Sequence, residues 1–216
     1  MNNDQHYSSQ ELKPEDENVV SVWHGSGNDK FFRRRYFDGF TQYETLDSNG
    51  KRELHNVYTG VWYIQQLSKE QRNRRRLLYV ALWLVAMAGL AFGATRSVMA
   101  NIRWYGGLAA FAGLYGLGWI AVGIFNEFIV PQRRTIGDYR ASSLGMKRGG
   151  LLAIIGCGGV AVISLVYVFM GVQVGAHLLA GAAELVAAAL AAGIRFLESK
   201  VVYEQKISEY AGKYTM

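Results

Sequence analysis

The stretch LLYVALWLVAMAGLAFGA, residues 77–94, decides the fold of this chain of 216 residues. It carries no charge, and as a helix it would be roughly 27 Å long, close to the hydrocarbon thickness of a bilayer of about 30 Å. Lys and Arg next to a span resist translocation. We therefore predict a transmembrane helix at about 77–95, anchored at the cytoplasmic membrane surface by the arginines that precede it: Arg72, Arg74, Arg75 and Arg76.

Three further apolar runs follow, at about 104–126, 150–172 and 175–195. The connection between the second and third runs is rich in cations, whereas the two other connections hold few. This distribution predicts a multi-pass protein of a prokaryotic cytoplasmic membrane, with both termini in the cytoplasm. The membrane-surface anchors of the middle connection would be Arg133, Arg134, Lys147 and Arg148.

The four runs show a faint internal repeat. The sequence YTGVWY at 58–63 precedes the first pair of runs, and TIGDY at 135–139 precedes the second. The predicted fold class is therefore an all-α membrane protein with four transmembrane helices, arranged as two helical hairpins in a possible tandem repeat. This transmembrane domain would cover residues 68–198, and its first helix would start after an N-cap at Ser68, with Gln71 closing a capping box.

The segments outside this domain are polar. Residues 1–20 predict a disordered tail, and residues 21–67 predict a small cytoplasmic cap that contains a β-hairpin. The hairpin strands would lie at about 40–46 and 51–57, joined by a tight turn at Asn49-Gly50. A second interpretation places the aromatic residues of 22–40 and the nearby Arg33–Arg35 on an anionic membrane surface. Alternating lysines and glutamates predict a helical cytoplasmic extension at 199–216.

Charge and composition narrow the classes of function. The net charge is +6, and residues 1–60 hold ten acidic and seven basic residues, so the positive charge belongs to the membrane part. Because these cations lie at the ends of apolar runs, membrane topology explains them better than nucleic-acid binding. The single cysteine, Cys157, and four scattered histidines predict no disulfide, metal site or cofactor.

Glu184 is the principal candidate for an intramembrane polar site. A charge in mid-membrane costs about 2.5–3.5 kcal/mol on insertion scales, so this carboxyl should face protein or water. Small residues flank it on one helix face, which would let another helix approach closely. Glu184 is interpreted either as a proton or cation site, or as a clamp between helices or a contact to a partner subunit. Residues that could share its site are His177, Tyr115 and Ser164.

Acidic residues also lie at the cytoplasmic ends of the second and fourth runs. Glu127 and Glu198 could coordinate a cation there, although salt bridges at the helix ends are favoured. The expected partners are Arg133, Arg134 and Arg195. Glycines with GxxxG spacing, such as Gly89 and Gly93, predict ordinary close helix packing.

The sequence contains no Ser/His/Asp set, no paired catalytic carboxylates and no HExxH motif, which argues against an intramembrane enzyme. The leading hypothesis is a non-catalytic subunit or accessory protein of a transport or secretion complex. Its partners would be the lipid bilayer and either a second copy or another membrane protein. The alternative is a small oligomeric transporter coupled to protons or cations through Glu184.

Overall fold

A computed structural model describes residues 19–24, 39–46, 51–96 and 103–209. The predicted tail at 1–20 lies outside the described residues up to position 18. The hairpin turn at 47–50 and most of the aromatic stretch 22–40 lie outside them as well. The described chain forms two compact units, one built around an N-terminal sheet and one around a helix bundle.

The first unit contains an antiparallel sheet of three strands in the order β1-β2-β3. The strands are β1 (Val19–His24), β2 (Phe40–Leu46) and β3 (Arg52–Tyr58). Strands β2 and β3 pair along their whole length, from Phe40 opposite Tyr58 to Leu46 opposite Arg52, which confirms the predicted β-hairpin. Strand β1 was not predicted. Gly39 has a φ of +87°, and an added Cβ there would lie 2.8 Å from the Tyr58 ring, so both backbone and space favour glycine.

The second unit is dominated by four helices that are long and apolar enough to cross a membrane. This confirms the four predicted apolar helices. They are α1 (Lys69–Arg96), α2 (Trp104–Ile129), α3 (Ile136–Phe169) and α4 (Val174–Ser199).

Capping boxes begin both α1 and α3. The Ser68 hydroxyl accepts from the Gln71 backbone N–H, and the Gln71 side chain accepts from the Ser68 N–H, as predicted. Thr135 and Asp138 exchange the same two bonds at the start of α3. Helix α3 therefore begins well before its apolar run, and its second turn, Arg140–Leu144, is a π-helical segment. Caps of this kind stabilise a helix start by about 0.5–2 kcal/mol.

The prediction of a helical C-terminal extension is wrong. After α4 the chain forms strand β6 (Tyr203–Ile207), and residues 210–216 lie outside the described part. Strand β6 occupies one side of β4 (Val61–Gln65), while the short β5 (Arg133–Arg134) occupies the other. Pairing with β4 satisfies backbone groups that a helix would have satisfied internally, so tertiary pairing outweighs local helix propensity.

This second sheet fixes the relative directions of the helices. Strand β4 precedes α1, β5 lies between α2 and α3, and β6 follows α4. Since the three strands are hydrogen-bonded neighbours, these three segments lie at the same end of the bundle. We call it the sheet end, and the link between α3 and α4 lies at the opposite end.

Close backbone contacts hold the bundle together. Helix α2 packs along α3, α3 along α4, and α4 along α1, whereas the contact between α1 and α2 is smaller. An added Cβ on Gly149 would lie 2.7 Å from the Gly116 carbonyl oxygen, so α2 and α3 touch backbone to backbone. An added Cβ on Gly89 of α1 would lie 3.0 Å from the Ala183 carbonyl oxygen of α4, and Gly93 of α1 faces the Glu184 side chain. Dispersion and close packing rather than apolar burial stabilise such contacts in a membrane.

Candidate functional site

The Glu184 carboxyl lies inside the bundle, on the face of α4 that meets α1 and α3. Its side chain is 0% exposed. Gly93 of α1 leaves the space for it, since an added Cβ at Gly93 would lie 2.6 Å from Oε1 and 2.9 Å from Cδ. The expectation was that this carboxyl faces protein or water and not lipid, and its burial inside the bundle agrees with the first alternative.

The Glu184 carboxyl lacks a strong hydrogen-bond donor among the described residues. Among the described residues, no donor makes an ordinary hydrogen bond to either carboxyl oxygen. The Cys157 thiol of α3 is close enough to interact with the carboxyl, but a thiol is a poor hydrogen-bond donor. A buried carboxylate without strong donors costs several kcal/mol, so this site favours the uncharged carboxyl.

The other predicted members of this site are placed differently. His177 lies two turns before Glu184 and is 1% exposed, with its ring stacked on Tyr167 at 4.9 Å between centroids. Neither ring nitrogen of His177 has a hydrogen-bond partner among the described residues. Ser164 is buried between α3 and α4, with its Cβ against Gly181. Tyr115, in contrast, is 49% exposed on α2 and is not part of this buried interface.

A second and more highly connected cluster lies at the sheet end. The Arg134 guanidinium of β5 is 0% exposed and binds the Glu127 carboxylate of α2 through both terminal nitrogens, at 2.5 and 2.9 Å. Arg134 also donates to Ser142, which lies in the π-helical segment of α3, at 2.9 Å. A weaker bond of 3.4 Å reaches Gln65 of β4. A further bond of 3.3 Å reaches the Tyr203 hydroxyl of β6, so a single guanidinium joins α2, α3 and the three strands of this sheet.

Glu198 of α4 organises the other half of this cluster. It accepts hydrogen bonds from the Tyr79 hydroxyl of α1 at 2.9 Å and from the Tyr203 hydroxyl of β6 at 3.0 Å. The Arg75 guanidinium of α1 lies between the two acids, 3.6 Å from Glu127 and 4.0 Å from Glu198. We call the whole cluster the basal network; it comprises Gln65, Arg75, Tyr79, Glu127, Arg134, Ser142, Glu198 and Tyr203.

The charges within the basal network compensate one another. Burial alone would lower the pKa of Arg134, but the hydrogen bonds and charge of Glu127 outweigh burial and hold that pKa above its ordinary value. Burial, and then the charge of Glu198, raises the pKa of the Tyr203 phenol, which therefore stays protonated and donates. Two guanidiniums and two carboxylates balance, as buried charges require.

The ion-pair partners of the helix-end acids Glu127 and Glu198 were predicted only in part. The Glu127–Arg134 salt bridge is confirmed. Arg133 instead lies over the Trp62 ring at 4.1 Å, and Arg195 donates to the Lys147 carbonyl oxygen, so neither matches the expected pairing. The partners of Glu198 were missed, because Tyr79 is 119 positions away and no local pattern connects the two.

The predicted membrane-surface anchors divide between two environments. Arg75 and Arg134 lie in the basal network, with side chains 11% and 0% exposed. Arg74 is 81% exposed and pairs with Glu70 one turn earlier. The remaining predicted anchors lie at or near the surface of the same sheet end: Arg72, Arg76, Arg133, Lys147 and Arg148.

Within the part of the chain that the structure describes, no three His, Cys, Asp or Glu side chains converge on a possible metal position. Comparison with protein-family models found no match, and searches of curated proteins and of solved structures returned no significant match. We therefore infer the function from the two clusters of buried polar residues.

Proposed function

We propose that this protein is a non-catalytic subunit or accessory protein of a membrane transport or secretion complex, and that it serves as a rigid scaffold in the bilayer. The basal network carries this proposal. It ties all four helices and the three strands β4, β5 and β6 together through buried, charge-balanced hydrogen bonds.

Such a network opposes movement of one helix against the others. Separating Glu127 from Arg134 would break the closest ion pair of the network, and breaking a buried ion pair typically costs about 3–5 kcal/mol. A transporter that alternates access needs helices that separate and reclose. The basal network holds the helices together at one end, and backbone contacts hold α2 against α3. Such a rigid bundle is better suited to binding a partner or a second copy than to alternating access.

The proposed orientation places the sheet end in the cytoplasm. The segment before α1, the segment after α4 and the connection between α2 and α3 all lie at that end. These segments carry the clusters of arginine and lysine. Cations near spans favour the cytoplasmic side. The N-terminal cap, the sheet end and the C-terminal segment would then share one compartment.

The proposal includes a tandem repeat of two helical hairpins, α1–α2 and α3–α4. Each would begin with the same local sequence of elements, a strand followed by a capping box and two long helices. Strands β4 and β5, which open the two halves, are antiparallel neighbours. Co-expression of residues 1–131 and 132–216 as separate chains should restore a bundle with the stability of the intact protein if the halves fold as units.

A second candidate function, a transporter coupled to protons or cations, is favoured by Glu184. A carboxyl that is fully buried in the bundle with only a thiol beside it is a plausible place for a proton to bind and leave. His177 provides another buried titratable group on the same helix face.

One pair of experiments separates the two functions. Wild-type protein and Glu184→Gln are reconstituted in vesicles for measurement of pH-linked flux, and both are purified in mild detergent for recovery of associated membrane proteins. The scaffold proposal expects no flux from either form and equal recovery of partners. Flux that is lost in Glu184→Gln, with partner recovery unchanged, would support the transporter. Ser199→Ala, an exposed change on the same helix, is the matched control.

A further inference from the structure

A surplus of positive charge lies beside the basal network. The network is neutral in itself, because Arg75 and Arg134 balance Glu127 and Glu198. Arg72 and Arg76 add two charges, and no carboxylate of the described residues lies within ion-pair distance of either. The Glu127 carboxylate attracts Arg76 from within the network, and the charges of Arg72, Arg134 and Arg75 repel it, so several guanidiniums share the field of one nearby carboxylate.

The geometry of Arg72 and Arg76 suits a shared anion. They are four residues apart on α1 and therefore lie on one face of the helix. The Nε atoms of both are buried and have no hydrogen-bond acceptor among the described residues. The Arg76 guanidinium lies 5.4 Å above the Phe128 ring of α2, and its one hydrogen bond within the described chain goes to the Asn73 side-chain oxygen at 3.4 Å.

The surface next to these arginines is apolar. Leu77 is 66% exposed, and on α2 Phe128 and Ile129 are 48% and 64% exposed. The uncharged run of α1 begins at Leu77, so the two guanidiniums stand at the boundary between the polar end of the protein and its apolar belt. A molecule that fills this place needs an anionic group at the arginines and apolar chains along α1 and α2.

We propose that Arg72 and Arg76 form a binding site for the phosphate headgroup of an anionic phospholipid. The guanidinium forks donate to the phosphate oxygens, since this planar geometry matches phosphate better than a point charge does. The acyl chains lie against Leu77 and the end of α2. This site differs from general attraction to an anionic surface, which any cation at the membrane boundary provides. It depends on the bundle lying in a membrane and not on the proposed function of the protein.

The test uses the full chain in neutral detergent, with melting temperature measured during titration with phosphatidylglycerol, phosphatidylcholine or inorganic phosphate. Phosphatidylglycerol should raise the melting temperature, and phosphatidylcholine should not. Arg72→Gln/Arg76→Gln should weaken the apparent affinity for phosphatidylglycerol at least tenfold. Arg74→Gln removes one charge from the exposed side of α1 and should leave that affinity within twofold of wild type, whereas Arg72→Gln or Arg76→Gln alone should weaken it more.

A lysine variant tests the same site if the double glutamine variant does not fold. Arg72→Lys/Arg76→Lys retains both charges and loses only the forks, so it should also bind several-fold more weakly. Equal binding by the lysine variant, or equal weakening by Arg74→Gln, would show that charge alone is responsible and would overturn the site. A rise in melting temperature with inorganic phosphate as large as that with phosphatidylglycerol would show a site for a free anion. That result would overturn the lipid as its occupant.

Discussion

A methyl group added to Gly156 tests the closeness of α2 and α3. Its Cβ would lie 2.5 Å from the Gly113 Cα and 2.7 Å from the Ala109 carbonyl oxygen. Ordinary contacts between carbon atoms are about 3.5–4.0 Å long, so the two backbones must separate by about 1 Å or more at this point. No rotation of a side chain can relieve the clash, because the atoms encountered belong to the backbone.

Gly158, two residues later in α3, supplies a matched control because no atom lies within 4 Å of its added Cβ. Replacing glycine by alanine in a helix stabilises it by about 1 kcal/mol, and this gain is common to both variants. Overpacking against fixed neighbours costs about 1–3 kcal/mol. We therefore expect Gly156→Ala to be less stable than Gly158→Ala by about 3 kcal/mol, the upper end of that range.

The assay is unfolding in detergent micelles by increasing sodium dodecyl sulfate, followed by circular dichroism. Gly158→Ala should unfold at or above the wild-type midpoint, and Gly156→Ala clearly below it. Equal midpoints for the two variants would refute the backbone contact between α2 and α3, and with it the arrangement of the bundle.

Three further changes test the two clusters, each by thermal unfolding. Glu127→Gln leaves the guanidinium of Arg134 buried without a counter-charge and should destabilise the protein by about 3–5 kcal/mol, while replacing both partners by apolar residues should cost much less. Gly93→Ala places a methyl group where the Glu184 carboxyl lies, and the additional change Glu184→Ala should restore part of the lost stability; if the two effects simply add, the contact is absent. Tyr203→Phe removes a donor to the buried acid of α4 and should cost about 1.5–3 kcal/mol, the range for hydrogen bonds to charged groups, whereas a neutral result would mean that the hydroxyl is not bonded.

The sequence predicted those features that local chemistry determines. The apolar runs gave four helices because a bilayer requires long, uncharged segments, and the Ser68 capping box gave the start of α1 correctly. The burial of Glu184 followed from the cost of exposing a charge to lipid.

Features that depend on the rotation of helices could not be predicted. Tyr115 was predicted to share the site of Glu184, but its position along the second apolar run does not determine which face of α2 turns inward, and Tyr115 faces outward. The basal network depends on Tyr203 in a strand that local patterning presented as helix. Its contacts join residues far apart in the chain, such as Tyr79 and Glu198, so only the folded bundle brings them together.

Labelling of single cysteines tests most directly whether the four helices cross a membrane with the sheet end in the cytoplasm, as we propose. Cys157→Ser provides the background, and Met170→Cys and Gln205→Cys place one exposed thiol at each end of the bundle. On intact cells, a membrane-impermeant maleimide should label position 170 and leave position 205 unlabelled, with the reverse in inverted vesicles. Labelling of both positions from the same side of a sealed membrane would contradict the account.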